Sequence, residues 1–389
     1  QVQYNLHNMA NTRVTTPVAD FDKSTSLPGL KIPSGDNSNQ PTGAAAVQGM
    51  IRNDTEETVD SSDSAIAHYN GTAWQYFAAT ESADPDPAFS VRYLVVAGGG
   101  GGGVIGGGGG AGGFRTSFGT GNINGGLTAV EASQNLTANT NYTLTVGAGG
   151  IATTTPGNSG PGGTSGNGGD SSFVATTTVL SVGGGGGGSY SAGVGGSGGS
   201  GGGGSSAASS YAGGLRATTP VQGFNGANSN SSSPYPAGGG GGAARAGDAY
   251  SGSGATSGGT ALASSITGTP VLYAGGGGGG YQSYYGGSVN TSGGGGGASD
   301  GEGSNNALNA TANTGSGGGG GGFGTNLYYG QGGNGGSGVV ILRYPVGNSI
   351  NIVSGTSPIA ADLNAAVAGS TTEKFTRFTA TGAVTFTIS

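Results

Sequence analysis

Leu94-Val95-Val96-Ala97-Gly98-Gly99-Gly100-Gly101-Gly102-Gly103 decides how this chain folds. An apolar, strand-like segment runs without a break into six glycines. Glycine loses more backbone freedom on folding than any other residue, so such a run alone reads as disorder. Runs of five or six glycines recur at 98–103, 106–110, 183–188, 238–242, 275–280, 293–297 and 317–322. Others also follow short apolar pieces, as in Leu180-Ser181-Val182 and Val271-Leu272-Tyr273-Ala274. A flexible linker has no reason to keep that context. The runs therefore read as parts of one packed structure.

A run in polyproline II geometry has three residues per turn, rises about 3.1 Å per residue and forms no internal hydrogen bonds. Each N–H and C=O then points outward and needs a partner. With no Cβ in the way, neighbouring runs approach closely and exchange N–H···O=C bonds. A net hydrogen bond contributes about 1 kcal/mol. Ordering a residue costs about 1–2 kcal/mol. One run stays unfolded, whereas many that complete each other hold together. The expected fold is mainly β and irregular: a glycine-rich body of packed polyproline-II-like polyglycine helices, capped by small β-sheets, with almost no α-helix. Residues 361–368 are the one segment that reads as two helical turns.

The composition supports order. The chain has 95 glycines and 14 prolines in 389 residues, a share that usually flags low complexity. Yet only 7% of residues are charged, whereas disordered chains carry high charge. No strict Gly-X-Y period exists, so collagen is excluded. The net charge of −7 argues against nucleic acid, which needs a basic stripe. Most of the acidity lies in residues 1–97, leaving 98–345 almost uncharged. There are no cysteines, so neither disulfides nor thiolate metal sites are expected. No stretch reads as a membrane-spanning helix or a signal peptide, and the start at Gln1 reads as processing, trimming or a fragment.

Three regions are expected. Residues 1–90 form a small N-terminal β module with an extended leader at 20–46 and a strand beginning at 48–51. Ile66-Ala67-His68-Tyr69-Asn70-Gly71-Thr72-Ala73-Trp74-Gln75-Tyr76-Phe77 reads as a hairpin around a two-residue Asn-Gly turn, with Trp74 and Tyr76 anchoring a small core. Asp84-Pro85-Asp86-Pro87 is the boundary. Residues 91–345 form the glycine-rich body, with strand-like inserts at 136–146 and 173–182. Residues 346–389 form a C-terminal β tail rich in β-branched and aromatic residues.

Tyr93-Leu94-Val95-Val96-Ala97 with its six glycines resembles the opening signature of glycine-rich domains in bacteriophage tail fibres. Gly335-Gly336-Ser337-Gly338-Val339-Val340-Ile341-Leu342-Arg343-Tyr344 resembles their closing one, and Tyr142-Thr143-Leu144-Thr145-Val146-Gly147-Ala148-Gly149-Gly150 their internal strand. Over about residues 91–345 the pattern resembles the polyglycine helix sandwich of tail-fibre tip adhesins from T-even-like phages. The Asn70-Gly71-Thr72-Ala73-Trp74 hairpin is similar to small modules of other phage fibre proteins. In such proteins a segment like 375–388 precedes the Leu-Val-Val-Ala-Gly strand, whereas here it follows the body. Either it folds back beside 91–96, or it pairs with the next subunit by strand addition and builds an open head-to-tail assembly.

No catalytic set stands out. The G-x-G-x-x-G matches lack the following acidic residue in a βαβ unit, and no glycine run leads into Gly-Lys-Ser or Gly-Lys-Thr. Gly166-Asn167-Gly168-Gly169-Asp170 partly resembles a calcium-binding glycine repeat, but it is not tandem and carries no expected metal. His7 and His68 are the only histidines. Asp54, Glu56, Glu57, Asp60 and Asp63 read as a solvated acidic loop. The residues that suit recognition are tyrosines beside glycine runs: Tyr281, Tyr284, Tyr285, Tyr328 and Tyr329, with Tyr190, Tyr211 and Tyr235. Rigid aromatic bodies with polar tips suit sugar or protein contacts, and equally suit shielding the bundle ends. Phe375, Phe378, Val384, Phe386 and Ile388 are the candidate assembly-strand residues.

The expected function is therefore structural and non-enzymatic, without cofactor or metal. The first reading, implied by the resemblance, is an extracellular phage tail-fibre component. It would contact a bacterial surface polysaccharide or outer-membrane protein. The alternative is a subunit of a secreted filament that self-associates head to tail by terminal strand exchange. Neither reading involves nucleic acid or membrane insertion.

Overall fold

The computed structural model describes residues 34–35, 51–54, 65–69, 74–77, 88–121, 123–153, 165–190, 193–205, 209–232, 235–249, 256–281, 306–323, 329–355 and 362–389. The chain divides into two compact units, Gln1–Asp84 and Pro85–Ser389. Among the described residues there is no α-helix, and the architecture is sheets and irregular backbone.

The first unit holds a four-stranded sheet in the order β1 (Ser34–Gly35), β2 (Ile51–Asp54), β3 (Ala65–Tyr69) and β4 (Trp74–Phe77). β3 and β4 form the expected hairpin with a different register. Tyr69 pairs with Trp74, so residues 70–73 connect the strands, not a two-residue turn. A two-residue turn would set Tyr69 opposite Thr72. The observed register instead sets Ile66 opposite Phe77 and Tyr69 opposite Trp74. The anchoring role expected of Trp74 and Tyr76 lies outside what is described for this unit.

The second unit contains β5 (Ala88–Val96), β6 (Phe114–Thr116), β7 (Gln134–Thr137), β8 (Tyr142–Val146), β9 (Ser171–Val174), β10 (Thr178–Ser181), β11 (Leu262–Ser264) and β12 (Val271–Tyr273). It continues with β13 (Val339–Pro345), β14 (Ile350–Gly355), β15 (Ala365–Ala366), β16 (Glu373–Phe378) and β17 (Gly382–Ile388). One sheet runs β15-β16-β13-β5-β6, with β7 also on β5; another runs β10-β9-β8-β17-β14. Tyr93, Val95, Val340 and Leu342 pack with Leu144, Phe173, Phe386 and Ile388 in one core between these sheets. Leu94, Val96, Val339 and Ile341 face the other way, onto Phe114, Ile266, Tyr273 and Val367. β5 and β13 are thus buried on both faces, which is why they read as uninterrupted apolar runs.

Three expectations need correction. The 136–146 insert is two strands, β7 and β8, in different sheets, broken where Asn139 takes a φ of 55°. The 173–182 insert is the β9–β10 hairpin, with Val174 opposite Thr178. Of 361–368, the described residues make no α-helix: Asp362 is in 3-10 backbone, and Ala365–Ala366 is β15, paired with β16. Asp362 is drawn to Arg377, and Asn364 sits at φ 53° with its amide on both backbone groups of Ile350. These long-range bonds outweigh a weak local helix preference. The C-terminal tail is woven into the second unit: β16 lies between β15 and β13, and β17 between β8 and β14.

Six of the seven glycine runs are described; 293–297 lies outside. Their hydrogen bonds repeat every third residue. Gly98 and Gly101 donate to the carbonyls of Gly169 and Gly166, Gly99 and Gly102 to Gly336 and Gly333, and Gly100 and Gly103 to Gly110 and Gly107. The 106–113 thread shows the full pattern. Gly106, Gly109 and Gly112 donate to Gly321, Gly318 and Gly315; Gly107 and Gly110 to Gly188 and Gly185; Gly108 and Ala111 to Gly238 and Gly241. Its carbonyls accept from Gly100 and Gly103, from Ser200 and Gly203, and from Gly277 and Gly280. A three-residue repeat offers three donor and three acceptor directions, hence six surrounding threads. Those six also bond to one another in a ring: 98–103, 183–188, 200–205, 238–242, 275–280 and 317–322.

Such closeness requires glycine. A Cβ on Gly100 would stand 2.2 Å from the Gly185 carbonyl oxygen, and one on Gly109 2.1 Å from that of Gly100. Where the bundle ends sideways, side chains replace the missing thread. Asn167 and Asp170 accept from the N–H groups of Gly186 and Gly183. Asn225 and Asn228 accept from Arg216 and Gly213, and Asn306 and Asn309 from Gln331 and Asn334. Each pair is three residues apart, matching the thread repeat.

Candidate functional site

The threads run up and down between two ends. β5 feeds 98–103 upward, residues 104–105 reverse the chain, and 106–113 returns into β6. The 183–188 run leaves β10 and the 275–280 run leaves β12 in the same sense, while 330–338 returns into β13. The sheets of the second unit therefore lie at one end, and the reversal at residues 104–105, with Ser189, Tyr190, Phe323 and Tyr329, lies at the other, distal end.

At the distal end the Tyr190 and Tyr329 rings meet edge to face, centroids 5.9 Å apart, and Phe323 packs on Tyr329 at 5.4 Å. The lattice below fixes this cluster. Tyr190 N–H bonds the Val104 carbonyl, Ile105 N–H bonds the Gly330 carbonyl, and Phe323 and Tyr329 pair as a β-bridge. Hydroxyls support the reversal: Thr153 Oγ1 accepts from Val104 N–H and lies 2.7 Å from Ser189 Oγ, while Ser165 Oγ donates to the Gly102 carbonyl. Tyr190 remains 46% exposed. None of the residues of this cluster, Val104, Ile105, Thr153, Ser165, Ser189, Tyr190, Phe323 and Tyr329, carries a charge. The chemistry offered is aromatic faces and hydroxyl tips on a rigid base.

The expected recognition residues divide. Tyr329 is in the cluster. Tyr281 is only 9% exposed and contributes its carbonyl to Phe323 N–H. Tyr284, Tyr285 and Tyr328 lie outside the described residues. Phe323 was not singled out from sequence, although it directly follows the 317–322 run, as Tyr281 follows 275–280. That position, first after a run, was the available signal.

The candidate assembly residues occupy the opposite end. Phe375 and Phe378 lie in β16, and Val384, Phe386 and Ile388 in β17; all five are buried in their own chain's cores. Nearby, Glu373 bridges Arg92 and Arg343, and both guanidinium groups sit over the Phe118 ring. Burial alone would raise the Glu373 carboxyl, but hydrogen bonds and charge from Arg343 and Arg92 outweigh it and hold it below the usual carboxylate range. Burial pushes the Tyr344 hydroxyl up to about 12, against hydrogen bonds involving Thr376 and Ile350. Asn167 and Asp170, the partial calcium-repeat residues, are committed to backbone N–H groups. Of the acidic cluster, Asp54 ends β2 and the other four lie outside the described residues. Among the described residues no helix is long and apolar enough to cross a membrane, and no group of three or more His, Asp or Glu is placed to hold a metal.

A glycine-rich domain family model matches residues 77–345. The chain belongs to that family. The glycine-rich domain match ends with β13, so β14, β16 and β17, which complete both sheets of this family member, lie beyond it. No curated protein and no solved structure matches the chain.

Proposed function

We propose that this glycine-rich domain protein is a structural, non-enzymatic, extracellular component of a bacteriophage tail fibre, and that its distal end contacts the host cell surface. In this reading the threads are left-handed polyglycine helices that form a stiff mount. The observation that carries it is the Tyr190–Tyr329–Phe323 cluster, fixed through backbone bonds to the bundle and partly open to solvent. Aromatic residues already ordered in the free protein lose little entropy on contact, which favours binding of sugar or protein. The partner is a surface polysaccharide or an outer-membrane protein.

The test is adsorption of labelled protein to a panel of bacterial cells. Tyr190→Ala with Tyr329→Ala should lower adsorption at least about tenfold, the loss of roughly 1.4 kcal/mol, with unfolding behaviour preserved. Undiminished adsorption of the folded double variant would count against the distal end. Periodate or protease treatment of the cells separates polysaccharide from protein receptors.

The second reading is a filament subunit joined by terminal strand exchange. It is favoured by one observation: the last strands, β16 and β17, are interior strands of two different sheets, so one terminal segment completes both. Exchange would swap that segment between copies. Unchanged assembly after deletion of 370–389 would rule it out.

A further inference from the structure

We infer that the five-stranded sheet of the second unit is latched at its two edges by side-chain amides, so that copies of this chain do not join by adding strands to it. An edge strand presents unpaired N–H and C=O groups, a template for another chain. In the five-stranded sheet the edges are β10 and β14. At β10, Gln222 Oε1 accepts from Val182 N–H at 2.8 Å and Gln222 Nε2 donates to the Leu180 carbonyl at 3.0 Å. Arg115 donates to the same carbonyl at 3.2 Å. At β14, Asn364 Oδ1 accepts from Ile350 N–H at 2.7 Å and Asn364 Nδ2 donates to the Ile350 carbonyl at 3.0 Å. In both places one primary amide supplies the donor and acceptor that an incoming strand would supply. Beyond Ile352 the register of β14 shifts, which further spoils a template.

Each latch also clips the facing sheet. The Gln222 carbonyl accepts from Phe114 N–H on β6, the edge of the other sheet. Asn364 accepts from the Tyr344 hydroxyl at 2.6 Å and donates its own N–H to Thr376 Oγ1 at 3.0 Å, reaching β13 and β16. A third amide acts on β6 itself, where Asn124 Oδ1 takes Thr116 N–H at 2.8 Å. Gln222 is 1% exposed, so its amide is held in place. The inference stands whether or not the distal end binds a host. It leaves terminal strand exchange possible only as a swap of 370–389 and closes the route of adding a strand to β10 or β14.

The test uses the full chain. In the wild type, hydrogen exchange at Val182 and Ile350 should be as slow as in the sheet interior and independent of protein concentration. Gln222→Met keeps the side-chain length and removes both amide hydrogen bonds, and Asn364→Gly keeps the positive φ. The folded double variant should self-associate at least about tenfold more tightly than the parent by sedimentation velocity. Fast exchange of those two amides in the wild type overturns the inference. So does a folded double variant that associates no more than the parent. If the double variant does not fold, the wild-type exchange decides: slow and concentration-independent supports the latch, and protection that grows with concentration overturns it.

Discussion

One methyl group separates Gly100 from alanine, and the bundle has no room for it. Gly100→Ala would drive a Cβ to 2.2 Å from a carbonyl oxygen whose thread is fixed on every side. Overpacking of this kind costs about 1–3 kcal/mol or more. Urea unfolding should show that loss. Gly347→Ala meets nothing within 4 Å and should be neutral or stabilising by about 0.4–1 kcal/mol. Ala111 shows where a Cβ is allowed, at the sheet end where the thread meets the apolar cluster around Phe114. Glu373 makes a second residue-scale prediction. Its folded pKa is depressed, so its stabilisation is present above the unfolded value and is lost as pH falls through the folded one. Thermal unfolding followed downward from neutral pH should fall below about pH 4, and Glu373→Gln should flatten that fall while lowering stability at neutral pH.

Threads are the elements here, and their edges are written in asparagine. Asn167→Ala leaves the buried Gly186 N–H without its acceptor, a loss of about 1–3 kcal/mol. Asn167→Asp keeps the oxygen and should keep most of the stability; chemical denaturation of the pair checks this. The three-residue spacing of Asn225 with Asn228 and of Asn306 with Asn309 was present in the sequence. Its meaning emerges only with the neighbouring thread in place, because the acceptor serves an N–H far along the chain. Strands were easier to see. Val95 and Val340 could be recognised as double-sided core strands by their unbroken apolar runs, whereas the Asn139 reversal inside 136–146 could not, since alternation continues across it.

For the whole second unit, cooperativity is the expectation. Deleting 370–389 removes β16 and β17 from the interior of two sheets and uncovers Phe173, Leu144 and Leu342. The truncated protein should lose its folded signal by circular dichroism and aggregate, and not melt a few degrees lower. Amide exchange of the intact protein should be slowest at 98–113, the threads with neighbours all round. Survival of that protection after truncation would show the bundle to be independent of the sheets.

By itself, the sequence determined that glycine runs and apolar strands belong to one mainly β, irregular fold, because runs without side chains are worth keeping only where backbones must touch. It also singled out aromatic residues beside the runs. Tertiary structure alone decided which thread meets which, that the last strands complete both sheets, and that Tyr190, Phe323 and Tyr329 converge while Tyr281 turns inward. Identical glycines carry no address in their side chains. Their pairing is set by the strands that feed them and by the N–H and C=O groups that each turn of backbone must satisfy.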